Sequence, residues 1–109
     1  MLPGPVINDL VSALRDIFGP RIHAIVLYGS VARGEATPES DVDIALILKE
    51  PMTKEERKQM ISRLVDLDWK YDRTFSVNDI EESRFAEWGD VLPYYRAIQK
   101  EGVVLWKVA

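Results

Sequence analysis

Cysteine is absent from the 109-residue sequence, and histidine occurs once, as His23. Without cysteine the chain forms no disulfide and offers no thiolate to a metal, and one histidine cannot form a histidine metal cluster. No apolar run approaches the roughly 20 residues that a membrane-spanning helix needs, and the chain start lacks the basic region of a signal peptide. These absences favour a cytoplasmic protein without a membrane segment.

Positive charge is also in short supply, because 14 lysine and arginine residues face 18 acidic residues and leave a net charge of −4. Broad binding to nucleic acid needs a basic surface, so we do not expect a nucleic-acid partner. The basic residues of segment 54–63 are interleaved with Glu55 and Glu56, which is typical of a solvated helix face. The length fits one domain, and we expect a single domain over residues 1–109.

Hydrophobic spacing predicts helices and strands in the order α-β-β-α-β-α-α-β. The helices are predicted over residues 6–18, 54–67, 80–88 and 92–100, and the strands over residues 22–28, 41–48, 71–77 and 103–106. The run 22–28 is apolar almost throughout, which indicates a strand buried on both faces, and Thr53 to Glu56 forms a capping-box pattern. The order predicts an α/β (α+β) fold, with a small mixed sheet flanked by helices.

The first predicted strand ends abruptly in Gly29-Ser30. Glycine allows the backbone to approach a ligand closely and adopts dihedral angles that other residues resist. If Ser30 starts a helical turn, the first amides of that turn point outward and form an anion site, to which the serine hydroxyl adds a donor. Arg33 would then lie one turn along the same face, where it can bind a further phosphate oxygen. This pattern favours a phosphate-binding turn.

Two carboxylates, Asp41 and Asp43, stand at the start of the otherwise apolar second strand. Strand alternation puts both on one face and Val42 and Ile44 on the other. Two like charges this close repel unless a cation lies between them, and Mg²⁺ takes carboxylate oxygens together with phosphate oxygens. Each feature alone is most often an ordinary turn or strand edge. Their occurrence together predicts a metal-bridged triphosphate site.

The motif that combines these residues has a fixed spacing. Gly29-Ser30 is followed by residues 31–40 and then by Asp41-Val42-Asp43, within the form Gly-Ser-x-Ala-Arg-Gly…Ser-Asp-x-Asp. In this respect the sequence resembles the minimal nucleotidyltransferases (MNT) of the DNA polymerase beta superfamily. Those small proteins are usually paired with a HEPN-domain partner in toxin–antitoxin modules, and the resemblance extends over nearly the whole chain.

The resemblance implies a polymerase beta-like nucleotidyltransferase fold and the transfer of a nucleoside monophosphate, AMP from ATP for the antitoxin branch, to a hydroxyl. It implies that Gly29 and Ser30 hold the triphosphate, and that Asp41 and Asp43 are catalytic residues that ligate Mg²⁺, normally two ions. The implied acceptor is a tyrosine of a HEPN-type toxin, in a homo- or hetero-oligomer. Pyrophosphate would be released.

The family also has a third carboxylate on the next strand, which binds metal and helps to deprotonate the acceptor. Asp72 is the first candidate for this catalytic and metal-binding role, because it begins the predicted third strand on its polar face. Asp66 and Asp68 are further candidates. An alternative alignment places Ser76 there instead, and a serine cannot replace a charged ligand or a base. The first alignment predicts an active enzyme; the second predicts a weak or inactive binding module that neutralises its partner by contact.

Overall fold

The computed structural model describes residues 2–37 and 39–108. It contains, in chain order, α1 (Gly4–Phe18), a 3₁₀ turn (Gly19–Arg21), β1 (Ile22–Tyr28), α2 (Gly29–Arg33), β2 (Val42–Leu48), α3 (Lys54–Tyr71), β3 (Phe75–Glu81), α4 (Glu82–Trp88), α5 (Pro93–Glu101) and β4 (Val103–Lys107). None of the helices in this part of the chain combines the length and apolarity needed to cross a membrane. The predicted mixed α/β class is confirmed.

The four strands form one mixed sheet in the order β3-β2-β1-β4. β1 runs antiparallel to β2 and to β4, whereas β2 and β3 are parallel and are joined by the crossover helix α3. The central strands β1 and β2 are covered on both faces, which explains their nearly continuous apolar sequence. The β1–β2 pairing sets Tyr28 opposite Asp43, so the last residue of β1 meets the beginning of β2.

The two faces of the sheet carry cores of very different size. We call the cluster beneath α1 and α3 the large core; its buried members include Leu10, Leu14, Phe18, Ile25, Leu27, Val42, Ile44, Leu46, Met60, Leu64 and Phe75. The small core lies beneath α4 and α5, and its buried members are Ala24, Val26, Ala45, Ile47, Ile80 and Ile98. Successive residues of β1 and of β2 alternate between the two, as the pleat requires.

The capping box predicted at the start of α3 is confirmed. The Thr53 hydroxyl accepts a hydrogen bond from the Glu56 amide at 3.1 Å, and the Glu56 carboxylate accepts one from the Thr53 amide at 2.9 Å. The two bonds satisfy backbone donors that the first helical turn leaves without intrahelical partners. They fix the position at which the crossover helix begins.

The third strand was predicted four residues too early. Residues Phe75–Glu81 form β3, whereas Tyr71, the first residue of the predicted strand, ends α3. The helix continues because Leu64, Leu67 and Tyr71 extend its apolar spacing toward the large core. It ends where Asp72 adopts a left-handed conformation with φ of 51°. Ile80, predicted in a helix, instead pairs with Ile47 in the sheet.

Candidate active site

The glycine–serine turn and the acidic strand touch at Gly29. This residue has a φ of 76°, and a Cβ placed on it would lie 3.1 Å from the Cγ and 3.2 Å from the Cβ of Asp43, with a carboxylate oxygen closer still. Glycine is therefore required both by the backbone angle and by the approach of the Asp43 side chain. The helix α2 starts at Gly29, so Ser30 lies in its first turn. The two halves of the motif, which the sequence predicted to converge, are in contact.

The carboxylate of Asp43 lies on the face of the sheet that carries the small core. Its neighbours Val42 and Ile44 are fully buried in the large core on the opposite face, while Asp43 is partly buried and Asp41, just before β2, is exposed. Burial raises the pKa of Asp43, the charge of Asp41 raises it further, and the charge of Arg33 lowers it. A partly buried carboxylate with a second one beside it is a donor set suited to a hard divalent cation.

Arg33, at the end of α2, is held by two carboxylates. Its Nε donates to Glu35 at 3.3 Å and its Nη1 donates to Glu101, in α5, at 3.2 Å. These hydrogen bonds, the one to Glu101 first, raise the pKa of Arg33. The sequence pattern gave no signal for Glu101, which lies 68 residues further along the chain. A phosphate group reaching Arg33 therefore competes with acids that already neutralise it.

Beside Asp43 stands a group of hydroxyl and amide side chains. The hydroxyl of Tyr28 accepts a hydrogen bond from Nδ2 of Asn78 at 2.8 Å and lies 3.0 Å from the hydroxyl of Tyr94. Burial raises the pKa of Tyr94 well above its ordinary value, and the hydrogen bond to Tyr28 and the charge of Asp43 act in the same direction. The sequence predicted only that Tyr28 ends a buried strand and gave no signal for this network. The group forms a neutral, polar wall of the candidate site.

Asp72 does not lie where its proposed role requires. The prediction put it at the start of the third strand, but it is the exposed C-terminal cap of α3, and β3 begins only at Phe75. Over residues 2–37 and 39–108, no group of three or more histidine, cysteine, aspartate or glutamate side chains is arranged to hold a metal. The prediction that Asp72 is the third ligand beside Asp41 and Asp43 is therefore wrong.

The two other acidic candidates are no better placed. Asp66 lies exposed on α3, and the Asp68 carboxylate accepts a hydrogen bond from the backbone amide of Phe75 at 2.9 Å. That bond helps to tie the end of α3 to the start of β3. Both residues belong to the helix that covers the large core, whereas Asp43 lies on the other face of the sheet.

Ser76 occupies the position next to Asp43. The parallel β2–β3 register pairs these two residues directly. Their neighbours Phe75 and Val77 pack with the large core, so alternation directs Ser76 to the same face as Asp43. The structure thus favours the alternative alignment, in which a serine stands at the third acidic position.

Residues 7–102 match the model of the nucleotidyltransferase domain family. The chain belongs to that family. The match includes the glycine–serine turn, the acidic pair and all the strands up to β3.

Curated relatives are similar to part of this chain. A Methanocaldococcus jannaschii protein provisionally named a protein adenylyltransferase is 31% identical over 67 residues, covering 62% of this chain and 68% of the relative. Spectinomycin 9-adenylyltransferase of Staphylococcus aureus is 29% identical over 84 residues, covering 74% of this chain. The match takes in only 32% of the Staphylococcus enzyme, so the chain spans about a third of that relative's length.

Solved structures share the fold. The structure of a tri-AMPylated Shewanella oneidensis HEPN toxin in complex with an MNT antitoxin matches with a TM-score of 0.61 at 19% identity, covering 95% of this chain and 71% of that chain. At this identity the similarity establishes the fold alone. It agrees with the nucleotidyltransferase fold expected from the sequence.

Proposed function

We propose that this nucleotidyltransferase transfers AMP from ATP to a hydroxyl group of a partner protein. The observation that carries the proposal is the contact between Gly29 and Asp43, which brings the glycine–serine turn against the second carboxylate of the acidic pair. The provisional name of the Methanocaldococcus relative and the AMPylated toxin in the Shewanella complex support AMP as the transferred group and a protein as the acceptor.

Each residue of the motif has a role in this proposal. The Ser30 hydroxyl and the amides around it bind phosphate oxygens, and Arg33 binds another after exchanging its carboxylate partners. Asp41 and Asp43 would hold Mg²⁺, which would supply positive charge to the phosphates. The acceptor oxygen bonds to the α-phosphorus, the bond from that phosphorus to the bridging oxygen breaks, and pyrophosphate leaves. The hydroxyl proton passes to solvent.

The proposed partner is a HEPN-type toxin, with this chain as its antitoxin. Large apolar side chains are exposed from the end of α4 to the start of α5, namely Trp88, Val91, Leu92 and Tyr94. Such a patch is a common feature of protein interfaces. It lies beside the polar wall, since Tyr94 belongs to both. A partner docked there would bring its own hydroxyl to the acidic pair.

A labelling assay tests the proposal. The protein is incubated with ATP labelled at the α-phosphate, Mg²⁺ and a HEPN-type partner, and is compared with the double variant Asp41→Asn/Asp43→Asn. We expect label on the partner with the wild type and at least about a hundredfold less with the variant, equivalent to about 2.7 kcal/mol of transition-state stabilisation. The variant Asp16→Asn/Asp66→Asn removes two exposed acids on the other side of the sheet and should label normally. Equal labelling by all three proteins would refute the proposal.

The position of Ser76 favours a second function, neutralisation of the partner by contact with little or no transfer. In that case wild type and Asp41→Asn/Asp43→Asn would suppress the toxin equally in a growth assay, and no label would reach the partner. If the wild type suppresses the toxin and the double variant does not, suppression requires the acidic pair, which would instead support the enzyme.

A further inference from the structure

The inference concerns the number of metal ions, and it rests on the proposed function. The resemblance to the minimal nucleotidyltransferases implies two ions and a third carboxylate that binds metal. The register sets Ser76 beside Asp43 on the same face of the sheet. A serine hydroxyl is neutral and is a poor ligand for a hard divalent cation compared with a carboxylate.

The side chains around Ser76 do not supply the missing charge. Two residues further along the same face, the amide of Asn78 donates to Tyr28 at 2.8 Å. Asp79, the next acid of β3, is directed to the opposite face of the sheet. Its Oδ1 lies 3.2 Å from Nη2 of Arg57. Neutral groups and a paired acid therefore follow Ser76 along the strand.

Two further acids bind the arginine at the end of α2. Glu35 and Glu101 both accept hydrogen bonds from Arg33. Even when a phosphate takes their place at the guanidinium, neither acid is grouped with Asp41 and Asp43 in the part of the chain that the structure describes. Among residues 2–37 and 39–108, the acidic pair Asp41 and Asp43 therefore remains without a third acidic member.

We propose that the nucleotide site holds one divalent cation, shared by Asp41, Asp43 and the triphosphate, and that Ser76 excludes a second. One Mg²⁺ is well served by one or two carboxylates with substrate phosphates and water. Asp41 and Asp43 are the only acids that the described residues bring together at this site. A second ion would have no carboxylate of its own and would depend on oxygens already shared with the first.

Counting bound ions tests this proposal without relying on activity. Mn²⁺ replaces Mg²⁺ and is titrated into the protein with a non-hydrolysable ATP analogue, and electron paramagnetic resonance measures free Mn²⁺. Counts are corrected with a protein-free titration of the analogue. We expect one bound ion per chain for the wild type and two for Ser76→Asp. Ser62→Asp, which adds the same charge at an exposed position of α3, should retain one.

The outcomes separate this proposal from the proposed function. Two ions in the wild type would overturn the single-ion site while leaving transfer intact. No bound ion would overturn both. A single ion in folded Ser76→Asp would overturn the role of Ser76, and Ser76→Glu provides a second variant if Ser76→Asp does not fold. One ion in the wild type and two in either variant would support the proposal even if the labelling assay detected no transfer.

Discussion

The two faces of the sheet differ in both composition and use. The face beneath α1 and α3 is closed by long aliphatic and aromatic side chains from every neighbouring element. The opposite face has a smaller cluster that includes two alanines, and at one end it gives way to Asp43, Ser76 and Tyr28. Apolar burial scales with area, so the large core supplies most of the stability. Because the core on the other face is smaller, polar side chains can occupy the end of the sheet where β1 finishes and β2 begins.

The largest expected effect is on the large core. Leu14 is 1% exposed, and Leu14→Ala should lower the free energy of unfolding by about 2–5 kcal/mol, because it leaves a cavity in a packed interior. The control Leu92→Ala, at an exposed position on the other side, should change it by less than about 0.5 kcal/mol. Urea denaturation measures both. The folded fraction of Leu14→Ala should bind nucleotide normally. A large loss of affinity would contradict the assignment of stability to one face of the sheet and nucleotide binding to the other.

An intermediate effect is expected at Gly29. Gly29→Ala forces a left-handed angle on alanine and pushes Asp43 aside, so we expect a loss of about 1–3 kcal/mol in stability and at least about tenfold in nucleotide affinity. Gly34 is a matched control, since its φ is 75° but nothing lies within 4 Å of a Cβ placed there. Gly34→Ala should cost about 1 kcal/mol in stability without changing affinity. Calorimetric titration with an ATP analogue measures the affinity of both variants. If Gly29→Ala and Gly34→Ala bind the analogue equally well, the contact between Gly29 and Asp43 is not needed for nucleotide binding.

The smallest effect is expected where α1 meets α3 at the surface. Asp9 accepts hydrogen bonds from Lys70 at 2.8 Å and from Tyr71, and these, the Lys70 bond first, hold the pKa of Asp9 below its ordinary value of 3.8. Ionised Asp9 therefore stabilises the fold above that value, and the stabilisation is lost as the pH falls through the lower, folded-state pKa. Melting temperatures of wild type and Asp9→Asn should differ near neutral pH and converge in acid. A difference independent of pH would rule out this linkage.

The sequence was informative wherever function depends on residue type and short spacing. Gly29 and Ser30 follow an apolar strand, and Asp41 and Asp43 alternate with buried residues, so both halves of the site were predictable. Their convergence followed from the antiparallel pairing of two adjacent strands. The start of α3 was predictable for the same reason, because a capping box is a local pattern.

Features that depend on distant pairing were not predictable. Tyr71, Phe75 and Val77 alternate as a strand would, but tertiary packing keeps Tyr71 in α3 and the seven-residue parallel ladder with β2 selects Phe75–Glu81 for β3. That shift removes Asp72 from the sheet and puts Ser76 beside Asp43. The contact of Tyr28 with Tyr94 likewise joins elements that are far apart in the chain.

The ion pairs of Arg33 have a consequence for ionic strength. In the proposed nucleotide complex, a phosphate bound by this side chain would replace its contacts with Glu35 and Glu101, which are themselves exposed and screened by salt. Added salt therefore weakens the contacts that are lost as well as the contact that is gained. The salt dependence of nucleotide affinity should consequently be shallower than that of a site whose arginine is free before the ligand arrives.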